Sequence, residues 1–282
     1  MTVNLSVVIP THRRGPILIR CLQHLERQTI ADQIEVIVVS DGHDPETAKL
    51  MKHATWSFPL RFFEIEKSQQ GVARNRGVEK AKGKRVLFIG DDIFLKPDAC
   101  EKHLASNYKP QTTNSAVLGH TTWDPAVGIT PVMRWLERTG WQFGYSFLEP
   151  FRHRTIDPAI QHRFTYTSHV SLPTGIAKMH PFREDVKLYG WEDIEWGWRL
   201  ARAGVPLFYE PDAKALHHHH IDFEESLRRM RTLGESACVI ERINPDLRLV
   251  PRGLKLWKYR AASMLSTMRG RHARAFLRGL RG

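Results

Sequence analysis

A chain of 282 residues with 41% hydrophobic and 26% charged residues can bury one large core and has the balance of a soluble globular protein. Three scattered cysteines, Cys21, Cys100 and Cys238, exclude a disulfide framework and a C-x-x-C pair, and no run approaches the roughly 18 apolar residues of a membrane span. The net charge of +12 resides in the tail: after Asp246 there is no Asp or Glu, and ten Lys and Arg from Arg248 to Arg281 leave the first 246 residues at +2. The N-terminus enters a strand without a basic-then-apolar leader, so the chain is expected to be cytoplasmic.

Leu5-Ser-Val-Val-Ile-Pro10 is a β-branched run closed by proline, a first strand. Residues 16–28 carry apolar side chains at helical spacing with proline in the first turn. Residues 34–39 form the second strand, closing on Ser40-Asp41-Gly42; a helix over 45–56 and a third strand over 60–65 follow. Residues 71–81 read as a helix ended by Gly83. Next comes Arg85-Val-Leu-Phe-Ile-Gly-Asp-Asp-Ile-Phe94, whose unbroken apolar run predicts a buried parallel strand delivering Asp91 and Asp92 to its carboxyl end. Alternation sends those two carboxylates to opposite faces, so they should have different jobs. Strands alternating with helices of roughly 10–13 residues predict an α/β fold, a mostly parallel central sheet with helices on both faces.

The second half is less regular. Strands are predicted over 116–121, 166–172, 206–209 and 214–218, and helices over 131–140 and 192–203. Residues 141–164, rich in aromatics, His and Arg without period, read as a long functional loop. From Phe223 to Ile240 apolar residues recur at helical spacing. The expected organisation is one catalytic domain over 1–245 and a basic helical extension over 246–282.

Four constellations carry chemistry. Pro10-Thr11-His12-Arg13 and Asp41 follow the first two strands, at the edge where nucleotides bind in doubly wound sheets; Thr11 and Asp41 suit a base or ribose, and Arg13 suits phosphate. Gln70-Gly-Val-Ala-Arg-Asn-Arg-Gly77 offers Arg74 near a helix start that favours anions. In Tyr189-Gly-Trp-Glu-Asp-Ile-Glu-Trp, the helix dipole alone explains acids in a first turn. It does not explain the flanking tryptophans, which would put Glu192 or Asp193 in an apolar wall, as a general base requires; Asp193 is favoured. His217-His-His-His220 follows the last strand, and alternation pairs His217 with His219 on one face and His218 with His220 on the other. Imidazoles of either face can complete the shell of a borderline cation beside carboxylate and phosphate.

The order Val-Val-Ile-Pro-Thr-His-Arg-Arg, Val-Val-Ser-Asp-Gly, Gly-Val-Ala-Arg-Asn-Arg-Gly, Phe-Ile-Gly-Asp-Asp-Ile and Gly-Trp-Glu-Asp-Ile-Glu resembles the family 2 glycosyltransferases of the GT-A fold, over roughly residues 4 to 235. The resemblance implies inverting transfer of a sugar from a nucleotide-diphosphate sugar, with Mn²⁺ or Mg²⁺. Carried onto this chain, Thr11, Arg13 and Asp41 would touch the nucleotide, Asp91 the ribose or sugar, and Asp92 and His217 the metal, with Asp193 as base. Gly90 stands where many members have a first acid, Ser40 where many have a first Asp, and His12 where Tyr is common. Phe182-Arg-Glu-Asp185 resembles a segment that often reads Phe-Asp-Glu.

Two rival functions differ in what they require. A sugar-nucleotide nucleotidyltransferase would want a glycine- and lysine-rich loop where Pro10-Thr11-His12-Arg13 stands. A degenerate binding module would not need Asp92 together with Glu192 and Asp193. In residues 252–281, Leu254, Trp257, Ala261, Met264, Leu265 and Met268 align, and Ala273, Phe276, Leu277 and Leu280 repeat the pattern after Gly270. Such a basic amphipathic segment suits an anionic membrane at the inner face, near a glycan or lipid-linked acceptor, or else packs on the domain with its basic side solvated. Nucleic acid is not expected, since no aromatic-basic sheet motif accompanies it.

Overall fold

The computed structural model describes residues 3–105, 113–185 and 190–281; Tyr189 of the Tyr189-Gly-Trp-Glu stretch lies outside them. β1 (Leu5–Thr11), α1 (Gly15–Glu26), β2 (Ile34–Asp41), α2 (Pro45–His53), β3 (Leu60–Ile65), α3 (Gln70–Lys80) and β4 (Arg85–Ile89) alternate as the sequence predicts. The four strands pair in parallel in the order β3-β2-β1-β4. Every residue of β1, β2 and β4 is buried, which is why these strands are apolar without a break. Their side chains divide by parity. Val8, Ile37, Val39, Val86 and Phe88 enter one core, and Val7, Ile9, Val36, Val38, Leu87 and Ile89 enter the other, against α1.

Beyond β4 come β5 (Ile93–Leu95), α4 (Ala99–Ala105), β6 (Ala116–Trp123), α5 (Pro131–Thr139), β7 (Arg154–Thr155), β8 (His169–Pro173), α6 (Thr174–Met179), α7 (Glu192–Arg202) and β9 (Leu207–His217). They extend the sheet to nine strands in the order β3-β2-β1-β4-β8-β6-β9-β5, with β7 beside β9. β8 runs antiparallel to both β4 and β6, whereas β6 and β9 are parallel.

Two predicted strands, 206–209 and 214–218, are one. Pro211 interrupts the apolar pattern, but it sits where the β6–β9 register slips between Glu210 and Lys214, and a bulge tolerates proline. Residues 141–164 are not a free loop. They wind through short 3₁₀ turns and bury Tyr145, Leu148, Ile156 and Phe164 in the core that holds Phe88 and Trp196. The short elements β5, α4 and α6 were not foreseen, because each is too brief to show a period.

The chain closes with α8 (Phe223–Ile243), α9 (Gly253–Ser263) and α10 (Met268–Gly279). α10 folds back on α8 and buries His272, Ala273 and Phe276, so the second half of the predicted amphipathic segment faces the protein. Contact is close enough that a Cβ on Gly234 would collide with the Phe276 carbonyl oxygen, and one on Gly279 with that of Arg231. Gly234→Val is therefore expected to cost about 1–3 kcal/mol of stability, read as a lower urea midpoint; an unchanged midpoint would contradict this packing.

Candidate active site

A cavity of ≈ 2160 Å³ opens at the carboxyl ends of β1, β2 and β4 and extends to α8 and α9. That is well beyond the roughly 300–1,000 Å³ of an ordinary small-ligand site, and leaves room for two substrates.

At one end the strand termini set the geometry. β4 delivers Gly90, Asp91 and Asp92, and β5 pairs antiparallel with β9, Ile93 opposite His217. This pairing, with a hydrogen bond from the His218 amide to the Asp92 carbonyl (2.8 Å), lays the histidine run beside the acids. His217 Nε2 lies 3.5 Å and His219 Nδ1 3.4 Å from Asp92 Oδ2. His218 points the other way, to Asp124 (2.6 Å) and Arg20 (2.8 Å), and His220 is exposed. The alternation along the strand thus separates the four imidazoles, with His217 and His219 on the side of Asp92.

Asp92, His217 and His219 offer one ligand atom each within 4.8 Å of one another. His217 stacks on Trp123 at 5.1 Å and lies edge-on to Phe143 at 5.4 Å; its Nδ1 is buried and has no hydrogen-bond partner among the described residues. A carboxylate facing two imidazoles is a donor set that fits a borderline divalent cation such as Mn²⁺. Burial opposes ionisation of Asp92, but hydrogen bonds from His217 and His219, then the charges of His217 and Arg14, hold its carboxyl well below the usual range. Asp91 shifts upward instead: burial and the neighbouring Asp92 charge outweigh Arg14 and the Thr11 hydroxyl. The two acids do not take opposite faces as strand alternation predicts, because β4 ends at Ile89 and both line the cavity, but they are electrostatically unlike.

Gly90 has a local reason. A Cβ there would lie 2.9 Å from Asp92 Oδ1, so a first acid would press on the carboxylate that faces the histidines.

The arginine expected at this end is Arg14, not Arg13. Arg13 takes a left-handed turn (φ 52°), lends its amide to Asp44 Oδ2 (2.9 Å), and exposes its side chain outside the cavity. The turn throws the next residue inward. Arg14 Nη1 meets Asp91 Oδ1 at 2.8 Å and Nη2 meets Asp92 Oδ2 at 2.9 Å. Sequence reasoning missed this because a single positive φ at a non-glycine residue reverses the phase of Arg-Arg and leaves no compositional mark.

Pro10, Thr11, Asp41 and Arg74 line the same cavity. Thr11 Oγ1 donates to Asp91 (2.8 Å), and Asp41 accepts from Lys67 Nζ and the Ser68 amide (2.7 Å each). Lys67 also lines the cavity and was not foreseen. Ser40 is fully buried and donates to the Gly42 carbonyl (2.8 Å), a turn contact. Arg74 is buried with its guanidinium 5.5 Å from the Phe182 ring. Asn75 grips the Phe182 backbone at both ends (2.8 and 2.9 Å) and reaches Glu184, tying the Phe182–Asp185 segment to α3.

The start of α7 lines the same cavity. Gly190 (φ 91°) and Trp191 (φ 70°) are both left-handed; a Cβ on Gly190 would strike Leu233, and Trp191 is held by its indole N–H on the Leu233 carbonyl (2.9 Å). This turn aims Glu192 and Asp193 at the cavity. Asp193 keeps partial exposure there, but surrounding protein and the Glu192 charge push its carboxyl up to about 7, against Arg74 and Arg229. Glu192 Oε2 is buried with no hydrogen-bond partner among the described residues. A carboxyl poised near neutrality on an apolar wall can take a proton at physiological pH.

Comparison with known proteins agrees with this layout. Residues 6–161 match the family model described as glycosyl transferase family 2. The chain is 30% identical over 225 residues to validoxylamine A glucosyltransferase of Streptomyces hygroscopicus subsp. jinggangensis (strain 5008), covering 72% of this chain and 52% of that protein. It is 31% identical over 106 residues to putative glycosyltransferase EpsH of Bacillus subtilis (strain 168), covering 36% and 30% respectively. The chain thus spans about half or less of these curated relatives. Mannosyltransferase PcManGT from Pyrobaculum calidifontis, solved with GDP-Man and Mn²⁺, superposes with a TM-score of 0.63 at 14% identity, covering 99% of this chain and 86% of that one. S. aureus TarS 1–349, solved with UDP-GlcNAc, does so with a TM-score of 0.59 at 16% identity, covering 85% and 67%. These two solved structures share the GT-A fold with this chain, and on its sequence match the chain belongs to glycosyl transferase family 2.

Proposed function

We propose that the chain transfers a sugar, with inversion, from a nucleotide-diphosphate sugar to a hydroxyl of a glycan or lipid-linked acceptor of the cell envelope. The observation that carries this reading is a single cavity lined both by a trio able to hold a cation and by a desolvated acid, Asp193. Structural neighbours solved with GDP-Man and Mn²⁺ or with UDP-GlcNAc support a nucleotide-sugar donor. In the proposed division, residues 1–245 hold the catalytic machinery and 246–282 form a basic helical extension whose α10 packs on α8.

Inversion is one in-line displacement at the anomeric carbon, through an oxocarbenium-like transition state. Asp193 accepts the acceptor hydroxyl proton as the new bond forms, and Glu192 beside it keeps the Asp193 carboxyl basic. Asp92, His217 and His219 would hold Mn²⁺ or Mg²⁺, which supplies charge neutralisation to the departing diphosphate. Thr11 and Asp41 orient ribose and base, and Asp91 faces the ribose or sugar. Arg14 and Arg74 present fixed forks of donors to phosphate oxygens, Arg14 in the part first assigned to Arg13.

A thermal-shift screen of nucleotide sugars tests the donor class: one donor should raise the melting temperature, and more so with Mn²⁺. No shift with any donor would count against the reading. The pH dependence follows from Asp193. Below about 7 it carries a proton and cannot accept another, so kcat/KM should rise about tenfold per pH unit up to that value and level off above it. A flat profile between pH 5 and 8 would contradict its role as base.

A further inference from the structure

The two C-terminal helices divide what the sequence presents as one amphipathic tail. α10 spends its apolar face on α8, with Ala273 and Phe276 buried. α9 does the opposite. None of its residues is buried; Leu254 (67% exposed) and Trp257 (65%) stand in solvent on the helix, and Met264 (82%) and Leu265 (56%) do so in the turn that follows it. Leu254, Trp257 and Ala261 recur at three- and four-residue spacing along one face of the helix. Lys255, Lys258 and Arg260 are exposed around that stripe, Arg252 is paired with Glu241 of α8, and no acid follows Asp246 in the sequence. Another part of the same helix turns inward: Lys255 and Tyr259 line the cavity that contains Asp193.

We infer that α9 and the turn after it form a membrane-docking element that lays Leu254, Trp257, Met264 and Leu265 into an anionic lipid surface and opens the cavity against it. A stripe of large apolar side chains bordered only by cations has the chemistry of an interfacial helix: the apolar side enters the acyl boundary, and Lys and Arg meet anionic headgroups. A soluble peptide or a second copy of this chain gives no reason for the one-signed border. Because Lys255 and Tyr259 belong to both the docked helix and the cavity wall, the acceptor that reaches Asp193 along this route is an amphiphile held in the bilayer. This identification of the acceptor rests on the transferase reading; the docking of α9 does not.

The test uses the full chain and sedimentation with vesicles of phosphatidylcholine alone or with phosphatidylglycerol. Binding to the anionic vesicles, weakened by salt, is expected, with little to the neutral ones. Leu254→Glu with Trp257→Glu should lower the anionic-vesicle partition at least about tenfold while leaving nucleotide-sugar binding in solution unchanged. Lys258→Glu with Arg260→Glu keeps the apolar stripe and should lower binding chiefly at low salt. No wild-type binding at low salt would overturn the inference, as would unchanged binding in the apolar double variant. So would a dimer in light scattering that the apolar variant dissolves, because the stripe would then be a subunit interface. Failure of the transferase reading is seen separately, as absence of nucleotide-sugar binding in the vesicle-free wild type.

Discussion

Asp193→Asn is expected to lower transfer by about 10²–10⁴-fold at saturating substrates while leaving donor binding close to wild type. Asn keeps the shape and the local hydrogen bond from the Ile194 amide (2.9 Å) but cannot take a proton. The same substitution should leave the fold intact, and its effect on stability has a defined sign. The folded Asp193 carboxyl sits near 7, above its ordinary 3.8, so the native state binds the extra proton between those values. Its contribution is fully present below about 4 and is lost as pH rises through 7. Melting temperatures of wild type and Asp193→Asn should therefore diverge with rising pH, in favour of the variant. Turnover near wild type would remove Asp193 from the chemistry; a Tm difference independent of pH would show that its carboxyl is not raised.

Asp92→Ala is expected to weaken Mn²⁺-dependent nucleotide binding by at least about 100-fold, measured by calorimetry with and without the ion. Asp92 faces both His217 and His219 and accepts from Arg14, so its loss leaves two imidazoles without the hard anionic oxygen between them. Arg14 complicates the wild-type site in a useful way. It bridges Asp91 and Asp92, and a cation on Asp92 competes with one arm of that fork. The diphosphate offers that arm an alternative partner, so metal and donor should bind more tightly together than either alone. Equal affinity with and without Mn²⁺ in both proteins would contradict a metal at Asp92.

Much of this layout was legible in the sequence because it depends on local pattern. Unbroken apolar runs marked β1, β2 and β4, and strand termini are where open parallel sheets gather polar groups, so Thr11, Asp41, Asp91 and Asp92 could be placed on one edge. Period two alone separates His217 and His219 from His218 and His220. What stayed hidden depends on tertiary context. The left-handed turn at Arg13 exchanged the roles of two adjacent arginines. Pro211 made one strand look like two. The aromatic stretch 141–164 hid core residues because 3₁₀ turns have no amphipathic signature of useful length. The tail pattern of α9 and α10 was visible, but only packing reveals that α10 is spent on α8 and α9 is not.

The division of the cavity between a departing diphosphate at Asp92 and an attacking hydroxyl at Asp193 is tested most directly by the anomeric configuration of the product. With a donor identified by thermal shift, proton NMR of the freshly formed linkage should show the anomeric centre inverted relative to the donor, as a single displacement requires. A retained configuration would contradict it, and with it Asp193 as the base.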